Sequence, residues 1–418
     1  MYKALLLACC ICFLAACATH RNQLEPIRRE LEQLNCDKAL AQLDKIATPE
    51  TDDQLLYLME YGSALQICKQ YDKSNQIFQQ ADQLSEKIDY ISISRVAAAT
   101  LFNEQALQYK GDKFEKQFLN ALAALNYIQL GKTEDAMVEV RRINEKIKKM
   151  ADEEKSPYEL NSFASYLAGL IYETDRQYDD ACISYKDSYN LDGGFKPVML
   201  DMLTACWRAK RSMEYNGLVK KTGATTEDIQ YSKRGLKKKK REIILVFLQG
   251  WGPQKTIQPG ARSFARLLPS ASLTKKLQVS FEAANENPSG QTSPLLSRVV
   301  YSVERSAIAT LEADINSLAA RRLGARVAKE VVADQIRQKD KALGDLAWLV
   351  MVASERADLR NWSLLPETVQ VLRLQVGEND SHIKLSGLGF GDQVSEDLGT
   401  IDLSDEPQKN IYLIRSLH

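Results

Sequence analysis

The sequence predicts an all-α helical solenoid at residues 25–222, a basic linker at 223–241, and an α+β domain at 242–418. Three observations carry this division. From about Pro26 to about residue 220, apolar residues recur at helical steps of three and four. Within that span a small–aromatic–small signature returns three times. From Glu242 onward, short β-branched runs alternate with long helical patterns. Ahead of the helices, residues 1–16 read as an export signal and residues 17–24 as a short polar stem.

The signal begins with one charge, Lys3, followed by an apolar run from Ala4 to Ala16 that is too short to span a bilayer. It closes on Leu14-Ala15-Ala16-Cys17, which resembles the lipobox of bacterial lipoproteins. The resemblance implies cleavage before Cys17, diacylation of its thiol, and acylation of the new N-terminus. Three acyl chains at about 0.8 kcal/mol per buried CH₂ form a permanent anchor in a lipid bilayer. The alternative is an ordinary secretory signal in which Cys17 is incidental. Ala18 is not acidic, which by the same resemblance implies the outer membrane, with the mature chain on its periplasmic face.

The totals exclude several function classes. Lys plus Arg equals Asp plus Glu at 55 each, so no global field draws the chain to nucleic acid. The three histidines, His20, His382 and His418, are too scattered for a triad or a metal cluster, and no cofactor motif occurs. Of eight cysteines, Cys9, Cys10 and Cys12 lie in the signal. Cys36, Cys68, Cys182 and Cys206 sit in helical patterns and read as buried thiols. A Cys182–Cys206 bridge is the oxidised alternative.

The first helical face is Leu31, Leu34, Ala39, Leu40, Leu43 and Ile46. Then come Gly62-x₂-Leu65 with Tyr71, Ser74, Phe78 and Ala81; Ala124-x₂-Tyr127 with Gly131, Ala136, Val140 and Ile143; and Gly169-x₂-Tyr172 with Tyr178, Ala181, Tyr185 and Ser188. Small residues let two helices approach and the aromatic fills the gap to the next pair. This resembles the tetratricopeptide (TPR) family. A partial unit around Ala39 precedes the three, and one containing Trp207 follows. Ser74 to Ala136 is 62 residues, so an extra helix pair or a degenerate repeat is expected at about 90–112. The resemblance implies that the concave face of residues 25–222 holds a partner protein or peptide.

The run Lys233 to Arg241 reads as a solvated linker guarding the strand after it. Glu242–Leu248 (EIILVFL) predicts a buried strand, and the prolines of 250–272 predict a loop with little regular structure. Strands are expected at Leu277–Phe281 and Arg298–Glu304, with a turn-rich excursion at Asn285–Pro294 between them. A long helix is expected at Ala307–Lys341 and a central buried helix at Leu346–Leu359. Three strands close the chain, Thr368–Val376, Ser381–Leu388 and Asn410–Ser416, with a hairpin turn at 377–380.

The stretch Glu355-Arg356-Ala357-Asp358-Leu359-Arg360-Asn361-Trp362-Ser363-Leu364-Leu365-Pro366, with Glu304-Arg305-Ser306 and Arg321-Arg322, resembles the C-terminal region of predicted TPR lipoproteins of Gram-negative bacteria. That family has no established biochemical role; its occurrence beside small lipoproteins linked to peptidoglycan synthase activation hints at cell-wall work. Glu355, Arg356, Asp358 and Arg360 read as a structural ion-pair network with Trp362 as the plug beneath it, because guanidiniums would hold both carboxylates ionised and leave no general acid. The expectation is thus a non-enzymatic scaffold or adaptor of the periplasmic envelope that binds envelope proteins or peptides. The alternatives are a cell-wall enzyme using Glu355 and Asp358, and a direct regulator of a peptidoglycan synthase.

Overall fold

Matching turns define the N-terminal half. A computed structural model describes residues 20–99, 108–152, 161–234, 241–281, 295–353, 357–376, 382–404 and 410–418. Five helix pairs follow one another: α1 (His20–Glu32) and α2 (Cys36–Ala47), α3 (Gln54–Ile67) and α4 (Tyr71–Ala99), α5 (Lys113–Gln129) and α6 (Thr133–Asp152), α7 (Ser162–Thr174) and α8 (Tyr178–Leu191), α9 (Lys196–Arg208) and α10 (Ser212–Thr222). Each turn holds one left-handed residue at the same place, Leu34, Lys69, Gly131, Arg176 or Lys210. The residue after it donates its N–H five positions back, as in Gln70 to Leu65, Lys132 to Tyr127 and Gln177 to Tyr172. This is the Schellman closure, and it turns each chain back on its own helix.

Glycine sets how closely the helices of a pair approach. A Cβ on Gly62 would overlap the Phe78 ring, and one on Gly169 would lie closer than 3.0 Å to the Tyr185 ring. Ser74 Oγ donates to the Gly62 carbonyl at 2.7 Å and Ser188 Oγ to that of Ser162 at 2.8 Å, tying second helix to first. The long interval between the first two full signatures is taken up partly by α4 itself, which runs 29 residues to Ala99; the remainder of 90–112 includes residues outside those described.

The boundaries differ from expectation at both ends. Residues 20–24 belong to α1, where Leu24 is buried, rather than to a stem. The helices continue past 222 into α11 (Thr226–Ser232), because Thr225 and Asp228 form a reciprocal capping box. Residues 235–240 of the basic run lie outside the described residues.

The C-terminal half is built on β1 (Arg241–Gln249), which lies between β10 (Ile411–Arg415), parallel to it, and β7 (Thr368–Val376), antiparallel; β6 (Arg298–Ser302) completes the sheet. A second sheet has the order β5 (Leu295–Leu296), β4 (Lys276–Phe281), β8 (His382–Leu388), β9 (Val394–Asp402). Successive β1 side chains serve different cores. Ile243, Leu245 and Phe247 pack with Leu277, Leu372 and Ile383 between the sheets, while Ile244, Val246 and Leu248 join the core of the helices. Burial on both faces is why this strand reads as an unbroken apolar run. The helical and α+β parts therefore share a core across three layers.

Four further expectations are corrected. Residues 250–272 contain a hairpin, β2 (Gln254–Gln258) and β3 (Ala261–Leu268), turned at Gly260 with φ +77°. The strand at 298 ends at Ser302, whose side chain caps α12 (Val303–Arg337). The expected central helix is α13 (Lys341–Ala353), which packs along the end of α12 with Leu346 and Leu349 exposed. The strand β9 was not anticipated, since few of its side chains are apolar; it is a sheet edge. The expected excursion at 285–294 and turn at 377–380 lie outside the described residues.

The cysteines also differ from the buried-thiol expectation. Cys36 is bonded to Cys68 and Cys182 to Cys206, with Cα separations of 5.8 and 4.7 Å. Close packing of neighbouring helices places each pair within bridging distance.

Candidate functional site

The first helices of the pairs form the inner face on which a repeat protein of this kind would hold a ligand. In α3, α7 and α9 most residues are buried, more than one apolar stripe requires. The second covering layer is the chain's own C-terminal half. An extended segment, 357–366, lies across α3 and α5, and the sheet lies on α5, α7 and α9.

Glu60 on α3 is fully buried and reads the main chain of that segment. Its Oε1 accepts from the Ser363 N–H at 2.7 Å and the Ser363 hydroxyl at 2.9 Å; its Oε2 accepts from the Leu364 N–H at 3.0 Å. Burial pushes Glu60 up to about 8, and the donors from Ser363 and Leu364 pull the other way. His20 Nε2 lies 3.5 Å from Glu60, but burial pushes His20 down to about 4, so it is neutral at pH 7 and makes no ion pair.

Glu115 on α5 repeats the device. It accepts the Trp362 N–H at 2.9 Å, the Tyr109 hydroxyl at 2.6 Å and the Asp112 N–H at 2.8 Å. Burial and Asp112 push it up to about 7, with Lys255 opposing. Between these carboxylates the Trp362 indole donates to Ser63 Oγ at 3.0 Å and meets the Phe78 ring edge-on at 6.0 Å. Gly62 thus makes room for Phe78, and Phe78 forms part of the seat for Trp362.

Of the four residues expected to form an ion-pair network, Glu355 and Arg356 lie outside the described residues, as does Cys17. The structure brings Asp358 and Arg360 together. Arg360 Nε and Nη2 donate to the two oxygens of Asp358 at 2.9 and 2.8 Å, and Nη1 reaches Asp53 on the helical side at 2.7 Å. Both oxygens of Asp358 are committed to this clamp. Trp362 lies against the repeats rather than merely beneath the clamp.

A second anchor lies farther along the row. Arg373 on β7 enters the helices, donating to Glu173 at 2.8 Å and to the Tyr185 hydroxyl at 3.0 Å, with Asp201 at 3.1 Å and Glu242 at 3.2 Å. Burial would raise Glu173, but Arg373 and Arg208 outweigh it and hold the carboxyl below its usual range. Asp201 is pushed up to about 6 by burial despite Arg373. Gln129 on α5 completes the seam, its amide bonding the Ile411 carbonyl and the Leu413 N–H on edge strand β10, both at 3.3 Å.

Sequence reasoning missed Glu60, Glu115 and Arg373. A signal existed for two. Glu60 is the one charge in the otherwise apolar or neutral α3, and Asp112-x-x-Glu115 is a capping box.

No family model matches the chain, and no curated protein matches it. Among solved structures, MamA from residue 41 to its end, from Desulfovibrio magneticus RS-1, is 15% identical, with a TM-score of 0.32, 51% of this chain covered and 97% of that one. A putative kinesin light chain with nearly identical TPR-like repeats, from Podosopora anserina, is 12% identical, with a TM-score of 0.33, 51% of this chain covered and 97% of that one. The second is described as having TPR-like repeats, and each match covers about half of this chain. The repeat architecture itself is carried by the five matching turns of the chain.

Proposed function

We propose that this protein is an exported, lipid-anchored scaffold of the cell envelope that recognises polypeptide, with its repeats holding the α+β domain as part of one interaction particle. The observation that carries the scaffold reading is the binding of segment 360–364 on the inner face. Two buried carboxylates take main-chain N–H groups and a serine takes an indole, which is how a groove recognises an extended peptide. Here that demand is met by the chain's own segment, so a partner engages the composite particle rather than an open groove.

The lipobox-like Leu14–Cys17 supports the anchor, and the two disulfides suit an oxidising compartment. The outer membrane and a cell-wall process, including control of a peptidoglycan synthase, follow from the lipoprotein resemblance and belong to the same proposal. The test is photo-crosslinking in intact cells from exposed positions of the particle, together with mass analysis of the peptide bearing Cys17. A reproducible crosslink to one envelope protein and an acylated Cys17 are expected. An unmodified Cys17 would remove the anchor, and the absence of any crosslink would remove the scaffold.

A further inference from the structure

Helix α1 is built into the particle from its first residue. The His20 side chain is 7% exposed and meets the Tyr57 ring edge-on at 5.4 Å. The Tyr57 hydroxyl donates to Gln23, and the Trp251 indole donates to Glu32 at 2.8 Å. Leu24, Ile27 and Leu31 are buried with Trp251, Leu364 and Leu417, so α1 packs on the C-terminal half as well as on the repeats. The Cys36–Cys68 bond ties the start of α2 to the end of α3. A helix held at both ends, and followed at once by a covalent tie, moves with the whole particle.

Two residues, Ala18 and Thr19, separate His20 from Cys17. Three residue steps span at most about 10–11 Å even when fully extended. The headgroup layer is itself about 5–7 Å deep on each side of the hydrocarbon. An acylated Cys17 therefore brings the start of α1 to the headgroups. Topology decides what lies beside it. Helices alternate in direction, so the start of α1 shares one edge of the solenoid with the connections between pairs, and the turns within pairs lie on the other. The Tyr109 N–H donates to the Asp52 carbonyl at 2.8 Å, joining neighbouring connections on the first edge. Lys132 pairs with Asp72 at 2.9 Å on the second. With 14 residues in α3 and 17 in α5, the edges are about 20–25 Å apart. The first edge exposes Glu50 and Asp52, carboxylates that anionic lipid does not attract, so the short tether and not the surface sets the orientation.

We propose that the edge formed by the start of α1 and the connection 48–53 faces the bilayer at headgroup distance, and that the turns within pairs face away from it. This rests on the anchor reading above. The test uses the mature lipoprotein, purified with its anchor and reconstituted in vesicles whose headgroups carry a nitroxide quencher. With Cys17 acylated and the four later cysteines bonded in pairs, an introduced thiol is the one that takes a fluorophore. Glu50→Cys lies on the near edge and Glu134→Cys, at the start of α6, on the far one; both positions are exposed. Quenching at 50 is expected to be at least about twofold that at 134, from the difference in height. A Gly/Ser insert of about 20 residues between Thr19 and His20, spanning about 25 Å, should abolish the difference. Equal quenching at the two positions, or stronger quenching at 134, with Cys17 acylated by mass, would overturn the orientation alone. A difference that survives the insert would overturn the role of the short tether. An unmodified Cys17 and no association with vesicles would overturn the anchor reading, and this inference with it.

Discussion

The carboxylate of Glu60 accepts the main-chain N–H of Leu364 at 3.0 Å across 304 positions of sequence. With the two bonds from Ser363, this puts an acid of the second helix pair in charge of where the C-terminal segment lies. Glu60→Gln keeps the shape but turns one acceptor into a donor facing an N–H. It should cost about 1–3 kcal/mol, the penalty for a buried mispaired polar group. Urea denaturation of the chain from Ala18 checks this; an unchanged midpoint would mean the segment is held by packing alone.

The same carboxylates set a pH dependence. Glu60 is pushed up to about 8 and Glu115 to about 7, above the ordinary value of 4.5. A raised acid binds more protons folded than unfolded, so its contribution is full below the unfolded value and is lost as pH rises through the folded one. His20, pushed down to about 4, acts oppositely, adding stability as pH rises toward 6.5 and nothing above it. Tm should therefore fall between about pH 6.5 and 8, and less steeply in Glu60→Gln. A flat wild-type profile would show that the hydrogen-bond donors keep Glu60 ionised throughout.

Trp362 is 1% exposed and connects three contacts: Ser63 through its indole, Glu115 through its backbone, and Phe78 through its ring. Trp362→Ala opens a cavity at the seam and should cost about 3–5 kcal/mol. Trp362→Phe keeps most of the volume and leaves Ser63 without the indole donor, at about 1 kcal/mol. Equal losses for the two would indicate that the ring's volume is not what matters.

Glycine substitutions separate packing from propensity. Gly62→Ala and Gly169→Ala each drive a methyl into the partner helix's ring and should destabilise by about 1–3 kcal/mol. Gly217 lies inside α10 with nothing within 4 Å of a Cβ, so Gly217→Ala should stabilise by about 0.5–1 kcal/mol. Thermal melts of the three variants check both signs together.

These glycines also mark how far the sequence could be read. Gly62 with Phe78, and Gly169 with Tyr185, announced the helix pairs because close approach demands a small residue opposite a ring. EIILVFL announced β1 because a strand buried on both faces carries no polar alternation. The residues 357–366 stood out by composition, yet their seat on Glu60 and Glu115 was hidden, since no local pattern encodes a partner hundreds of positions away. The apolar residues of α13 looked like a core helix because composition reports hydrophobicity and not what covers it. Cys36 and Cys68 gave no motif because their closeness comes from helices packing side by side.

Arg373 tests whether the two halves form one cooperative unit. It ties β7 to α7 and α9 through Glu173 and Asp201 and to β1 through Glu242, all within the seam. Arg373→Met keeps the apolar stem and removes the charge, leaving Glu173 with Arg208 and Asp201 with the Tyr166 hydroxyl. Breaking one side of such a buried network should cost about 3–5 kcal/mol. Because both halves share a core, the loss should appear as a single shifted transition by circular dichroism and by tryptophan fluorescence. A split into two transitions would show that the halves unfold separately and that Arg373 is a latch between independent domains.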